Sequence, residues 1–378
     1  MADTLTRDDS EALEPVVPSD PLWKIRLRLF WRSFRRNWAI FAQNKAGVVG
    51  LVIIGFFGLM AIAHPILMAT LWQGHDEGGK NVYDPRAGAD AVIVEKVVVP
   101  DDTDPYDPVT QIRQTEAALQ GNGISFPEIG TVMTAPLANP APPVFSGVEH
   151  PHWLGTDPFG GDIFSQLLFG ARAAFTLGFV AAISAVLLAT IVGTVAAYYG
   201  GTVDTLLMRL VDLMILIPIL PLLIVVSGFW TLSLPMLGLV IGITTGLGGT
   251  AIILKSQALS VKVKPFIDAA RIAGGSDWRI IAQHIIPNVI PLAFLYMMFS
   301  VVGAIFLEAA LSFLGLLAIE QSWGIMINIA HTQGYTLQGL KVWWLMIPAG
   351  ASVTLFSAGF FMVARAMDEV VNPRLRRR

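Results

Sequence analysis

The sequence has no cysteine, which excludes a disulfide framework and any thiolate-ligated metal site. Charge is scarce: Asp, Glu, Lys and Arg make up 14% of the 378 residues, against about 25% in a soluble domain. No G-x-x-x-x-G-K-[ST] loop is present, so ATP has no phosphate cradle of that kind, and no H-E-x-x-H pair is present for zinc. The net charge of −3 gives no electrostatic footprint for nucleic acid. The six histidines are scattered, and His150 and His152 are splayed by Pro151 between them. The acidic run Asp101-Asp102-Thr103-Asp104-Pro105-Tyr106-Asp107 lacks the glycine and closing glutamate of a calcium loop, and reads as a solvated loop. What abounds is apolar: 54% of residues are hydrophobic and the mean hydropathy is +0.62. This is the composition of a polytopic membrane protein, not of a soluble enzyme or a disordered chain.

A helix crosses the hydrocarbon layer with about 20 apolar residues. Five long runs carry no charged residue: 46–75, 173–203, 213–254, 280–307 and 342–364. The third is too long for one helix, and Ser233-Leu234-Pro235 breaks it. Six spans are therefore predicted, near 46–72, 173–199, 205–230, 234–254, 288–311 and 342–364. The uncharged stretch 321–340 is of re-entrant or interfacial length. Nineteen of the 25 Lys and Arg residues lie in 1–45, at Arg209, in 255–279 and in the tail from 365. With six spans, all these segments fall on one side, which the positive-inside rule makes cytoplasmic. The loop 73–172 then lies outside, with fourteen acidic residues against five basic ones.

The expected organisation is a cytoplasmic segment 1–45, a first span 46–72, a long acidic outer loop 73–152, a core 153–366 with five spans, and a basic cytoplasmic tail 367–378. The first twenty residues are acidic and polar, unlike a cleavable signal peptide. Residues 22–45 mix Trp, Phe and Leu with Arg. They read either as an amphipathic helix lying on the cytoplasmic face or as a bare topology signal. The run Ala91 to Val99 is strand-like.

Few charges fall within the spans. Arg209 and Asp212 are three residues apart and can pair on one helix face. Glu308 lies near the outer end of the fifth span; it is either a functional carboxylate or a structural one at the interface. Gly238, Gly242 and Gly246 recur every four residues, allowing close helix approach within the subunit or across a dimer. Pro218 and Pro221 are placed to bend the third span.

The most informative segment is the internal cytoplasmic loop 255–287. Pro265 opens a helix, with Asp268 near its positive dipole end. Ala269, Ala270 and Ala273 favour helix, and Gly274-Gly275 stop it. Ser276 or Asp277 caps a second helix, on which Trp278, Ile281 and Ile285 share a face, and Pro287 marks the entry to the fifth span. The result is a helix, a glycine turn and a second helix held near the membrane. It is either a knob for a partner or a surface loop without one.

This segment resembles the signature of binding-protein-dependent ABC importer permeases. That signature runs Glu-Ala-Ala, three residues, Gly, nine residues, then an aliphatic residue, any residue and an aliphatic–Pro end. Here it reads Asp268-Ala269-Ala270, Gly274, then His284 to Pro287, with Asp in place of Glu. His284 at the aliphatic position is common in the dipeptide/oligopeptide/nickel branch. Gly155-Thr156-Asp157, Gly160, Asp162, Ser165, Gly170 and Arg172 resemble that branch's approach to the second span, although Gly161 and Gln166 replace two usual arginines. Tyr199-Gly200-Gly201 with Asp204, Arg209 and Asp212 is similar to its next turn. Glu308 to Gly315 with Ser322-Trp323-Gly324 resembles its outer gate region, and Asn372 to Arg376 its C-terminal end.

The resemblance implies an all-α polytopic fold of six transmembrane helices, of the type I ABC importer permease kind, with both termini cytoplasmic. It implies a C-type subunit paired with a second permease, two cytoplasmic ATP-binding subunits and an external solute-binding protein. It also implies that ATP and Mg are bound by the ATPases and that this chain has no catalytic site. Asp268, Ala269, Ala270, Gly274, His284 and Pro287 would form the ATPase-coupling element. Asp212, Glu308 and Trp323 are candidates for the gate or pathway. Peptide is the solute expected of this branch. Nickel, an oligosaccharide or an opine-like compound is the alternative within the class. A stand-alone secondary carrier or a membrane-embedded enzyme or receptor is the alternative outside it.

Overall fold

The computed structural model describes residues 22–72, 76–77, 80–81, 83–85, 94–98, 132–136, 140–143, 152–317 and 321–371. Helix α1 (Leu22–Gln43) leads through Asn44 into α2 (Lys45–Ala69). The Asn44 side chain accepts from the Gly47 amide at 3.0 Å, an N-cap that starts α2 as a separate helix. Two small antiparallel ladders follow. The first pairs β1 (Asp76–Glu77) with β2 (Lys80–Asn81). The second pairs β3 (Val94–Val98) with β4 (Val132–Pro136), Val94 opposite Pro136 and Val98 opposite Val132. The strand-like run 91–99 thus contains a strand. The acidic run 101–107 and His150 lie outside the described residues.

Helix α3 (Ile163–Tyr199) begins ten residues before the expected start of the second span. The reason is polar: Asp162 caps it, accepting from the Ser165 amide at 2.7 Å. Helices α4 (Gly201–Leu216) and α5 (Ile219–Phe229) meet at 82°. The predicted span 205–230 is therefore not one rod. Pro218 has no amide hydrogen, and it holds Ile217 before it at φ −81°, ψ 115°, outside the helical region. Helices α6 (Leu234–Gly246) and α7 (Gly249–Lys262) meet at 51°, with Gly248 at ψ −147°. The predicted span 234–254 is thus also bent, and it extends further.

Helix α8 (Pro265–Ile272) and the short α9 (Asp277–Ile280) follow. A π-helical turn (Ile281–Ile285) then joins α9 to α10 (Ile286–Phe313), and 277–313 is one continuous rod. Pro287 therefore does not separate a surface helix from a span. The wider π turn, with the Ile286 amide bonded to the Ile281 carbonyl, relieves the clash that proline imposes on an α-helix. Helix α11 (Trp323–Thr332) is too short to cross a bilayer. A 3-10 segment (Tyr335–Val342) leads into α12 (Trp343–Val371).

Four of these helical stretches are long and apolar enough to span a membrane, and six if each bent pair counts as one span. The fold is nearly all helical. Helix α3 is its axis, packed against α2, α6, α7 and α10. The glycine stripe of α6 makes the tightest of these contacts. A Cβ on Gly242 would lie 2.6 Å from the Ala181 carbonyl, and one on Gly246 would lie 2.6 Å from the Ala185 carbonyl. The stripe thus serves packing within the subunit. On the other side, Phe57 of α2, Trp323 of α11 and Phe356 of α12 meet edge to face, with centroids 5.3–5.6 Å apart.

Candidate functional site

Three clusters carry the residues singled out from the sequence. The first is the knob between α7 and α10. Pro265 occupies the first turn of α8 and Asp268 lies in that same turn. The helix ends in a Schellman motif. The Gly274 amide donates to the Arg271 carbonyl at 2.9 Å, and the Gly275 amide donates to the Ala270 carbonyl at 3.0 Å. Gly274 sits at φ +78°, and a Cβ there would meet nothing within 4 Å. Asp268, Ala269, Gly274 and Pro287 are exposed, while Ala270 and His284 are half-buried.

The knob is anchored by a few isoleucines. Ile267, Ile280, Ile281 and Ile285 are buried. Trp278, expected to share a face with Ile281 and Ile285, is 64% exposed. The π turn shifts the buried face of the helix, and Ile280 rather than Trp278 is buried with Ile281 and Ile285. With Trp278, Val263, Phe266 and Ile272 are also exposed, giving the knob an apolar outer surface.

The backbone places Ser276 as the N-cap of α9, but its side chain makes no capping bond. Asp277 instead accepts a hydrogen bond from Tyr198 Oη, 2.6 Å away at the end of α3. Arg271 lies over the Tyr198 ring, 5.4 Å from its centroid. Lys262 Nζ donates to the Ala197 carbonyl at 3.0 Å. None of these ties was read from the sequence, because their partners lie tens of residues apart and no local periodicity marks them.

The second cluster joins α10 to α11. Glu308 is buried and accepts from Ser312 Oγ at 2.6 Å. Ser312 Oγ lies 3.4 Å from Ser322 Oγ, and the Ser322 side chain caps α11 by accepting from the Ile325 amide at 3.3 Å. Trp323 is buried and donates from Nε1 to the Leu167 carbonyl of α3 at 3.1 Å. Gly170 makes room for it, since a Cβ there would lie 2.5 Å from the indole. Glu308 and Trp323 are thus brought together around the start of α11. Asp212 is not with them: it pairs with Arg209 at 3.9 Å on an exposed face of α4.

The third cluster is the Gly155–Ser165 approach to α3. Asp157 Oδ1 accepts from the Phe159 and Gly161 amides, both at 2.8 Å. Its Oδ2 accepts from Gln166 Nε2 at 2.6 Å. Asp162, besides capping α3, pairs through Oδ1 with His152 Nδ1 at 3.0 Å. Thr156 accepts from the Ala141 amide through Oγ1 at 2.8 Å, and its carbonyl accepts from Trp344 Nε1 at 3.3 Å. Ser165 Oγ donates to the Tyr83 carbonyl. The motif is therefore a polar knot that ties α3 to α12 and to the segments around Tyr83 and Ala141. Gly161 and Gln166 are linked within it, because a Cβ on Gly161 would lie 2.6 Å from Gln166 Nε2.

Burial raises the Asp157 carboxyl above its ordinary value of 3.8. Hydrogen bonds from Gln166, Gly161 and Phe159 oppose the shift, and nearby Asp162 adds to it. The fold therefore favours the protonated form. Its contribution to stability is complete below pH 3.8 and is lost as pH rises through the raised folded value. Asp157→Asn cannot ionise, and the unpartnered Gln166 Oε1 can turn to accept from the new amide. Thermal melts of the two proteins should coincide below pH 3.8, with Asp157→Asn gaining on the parent above it. A difference that does not vary with pH would refute this account.

Among the described residues, no group of three or more His, Asp or Glu side chains could hold a metal ion. Asn372 to Arg376 lies outside the described residues.

Comparison with known proteins bears on the first two clusters above all. A family model described as "Binding-protein-dependent transport system inner membrane component" matches residues 189–377, from the last turns of α3 through the knob, α10 and α11 to the tail. The chain is 34% identical over 230 residues to the dipeptide transport system permease protein DppC of Bacillus subtilis, covering 60% of this chain and 70% of that one. It is 33% identical over 230 residues to the oligopeptide transport system permease protein OppC of the same organism, covering 60% and 73%. A Brucella suis protein with the provisional name of peptide transport system permease is 33% identical over 233 residues, covering 61% and 75%.

Proposed function

The chain belongs to the family of binding-protein-dependent transport system inner membrane components, and from that membership we propose that it is one permease subunit of an ATP-driven peptide importer. As an inner membrane component with several spans, it is a multi-pass protein of the cytoplasmic membrane. Peptide is the solute because dipeptide and oligopeptide permeases are its relatives. In this reading both termini and the knob face the cytoplasm, and the 73–152 loop faces outward. A second, different permease completes the pathway, two ATP-binding subunits sit beneath, and an external binding protein delivers the peptide. The chain itself carries no catalytic group; ATP and Mg belong to the ATPases.

The knob carries this reading. It presents small residues at Ala269 and Gly274 together with exposed Phe266, Ile272 and Trp278, on a turn fixed by backbone hydrogen bonds. Exposed apolar side chains in such a group mark a docking surface. Docked in a groove of an ATPase, the knob is displaced when the ATPases close, and the pathway changes the side to which it opens. Asp268, Ala270, His284 and Pro287 shape the same element. At the other end Glu308 and Trp323 hold α11 in place as part of the gate, and Asp212 lies on the α4 surface available to a partner.

A mild-detergent pull-down from the native membrane should recover a second permease and one or two ATP-binding subunits. Peptide uptake by the same vesicles should stop when ATP is depleted. Recovery of this chain alone, with uptake indifferent to ATP, would replace the importer with a stand-alone carrier.

A further inference from the structure

The knob is held at both ends by one turn of one helix. Lys262, the last residue of α7, donates to the Ala197 carbonyl at 3.0 Å. Asp277, the first residue of α9, accepts from the Tyr198 hydroxyl at 2.6 Å. Between them, Arg271 of α8 stacks on the Tyr198 ring at 5.4 Å and reaches Asp268 at 3.4 Å. The segment 263–276 is thus bracketed by Ala197 and Tyr198, which are adjacent in the chain and both buried. Asp204, just beyond this turn, forms an ion pair with Lys255 of α7.

The bracketing helix is α3, and its far end holds a second element. Leu167 accepts from the Trp323 indole, and Gly170 is the seat on which that indole rests. Along the distance between these ends, α3 packs tightly on its neighbours. Besides the contacts of Gly242 and Gly246, a Cβ on Gly193 of α3 would lie 2.8 Å from the Ala251 carbonyl of α7. An α-helix of 37 residues is about 55 Å long. Close packing over that length transmits strain along it.

We propose that Tyr198 is a positioning residue for transport, the point at which displacement of the knob enters α3 and so reaches α11. The proposal rests on the importer reading. Its chemical content is narrow. The ring supplies a face for the Arg271 guanidinium, and the hydroxyl donates to a carboxylate, a bond stronger than one between neutral groups. Phenylalanine keeps the first interaction and removes the second.

The test uses the whole complex, with both permeases, the ATPases and the binding protein, in proteoliposomes. Peptide uptake and ATP hydrolysis are measured separately. Tyr198→Phe should lower uptake per ATP about tenfold while hydrolysis continues. Asp277→Ala should match it, and Asp277→Asn, whose amide oxygen still accepts, should restore coupling close to that of the parent. The double variant Tyr198→Phe with Asp277→Ala should be no worse than either single one, because both remove the same bond. Unchanged uptake per ATP in Tyr198→Phe would overturn the proposal. So would a parallel fall of uptake and hydrolysis in both single variants, which is the mark of a purely structural tie. Failure of the parent complex to couple uptake to ATP at all would instead overturn the importer reading.

Discussion

Gly274→Val is expected to cut ATP-driven uptake sharply while leaving the chain folded in its membrane. Two effects combine at this position. The backbone sits at φ +78°, where an L-residue pays about 1–2 kcal/mol and a β-branched one is a severe outlier. The Schellman motif that ends α8 depends on that conformation, since both of its bonds close around Gly274 and Gly275. Yet a Cβ would touch nothing in this chain within 4 Å, so the core feels no steric insult. In the importer reading, the added side chain points at the docked ATPase. Gly274→Ala separates the two contributions: it carries strain without branching and should retain most of the uptake. Gly274→Val should lose at least about tenfold in uptake per ATP, which about 1.4 kcal/mol of misplaced docking suffices to produce. Normal coupling in the valine variant would remove the docking role of the knob.

The largest effect on stability is expected from Gly242→Leu in α6. Here the obstruction lies within the subunit: the first added carbon would sit 1.8 Å from Ser184 Oγ and 2.6 Å from the Ala181 carbonyl. Ser184 Oγ is itself engaged, donating to the Val180 carbonyl at 2.6 Å. The helix backbone cannot yield as a side chain can, so α6 must part from α3. Overpacking of this kind costs about 3 kcal/mol, and the melting temperature in detergent should fall by roughly 4 °C. Gly303→Ala in α10 is the matched control, because a Cβ there meets nothing within 4 Å. It should be neutral, or stabilising by up to about 1 kcal/mol through helix propensity. A Gly242→Leu protein that melts with the control would mean that the α3–α6 contact is not as close as described.

The spans were legible because they depend on a one-dimensional property, the absence of charge over about 20 residues. The knob was legible because proline, aspartate and paired glycines act locally on the backbone, and Gly274 lies where that logic places it. The bends were half legible. Pro218 announced one, but the 82° angle depends on how α5 finds its neighbours. The continuity of α9 with α10 was hidden because proline normally interrupts a helix, and only the π turn carries the chain through Pro287. The ties made by Tyr198, Lys262 and Trp323 were not legible at all. Each joins residues 65 to 156 positions apart, and nothing in local periodicity records such pairs. Glu308 stood out as a charge within a span. That two serines hold it, one of them the cap of α11, emerged only when α10 and α11 were placed side by side.

The presence of Gln166 in the polar knot has a consequence for the medium in which the protein works. Asp157 is held there by amide donors alone, buried from solvent. Attraction between exposed ions, such as Arg209 and Asp212, weakens as dissolved salt shortens the Debye length to about 8 Å at physiological strength. The groups of the knot, Asp157 and the Asp162–His152 pair among them, are buried and are screened much less. The junction of α3 with α12 is therefore less sensitive to ionic strength than an exposed pair, an advantage in the importer reading, which turns this face to the medium outside the cell.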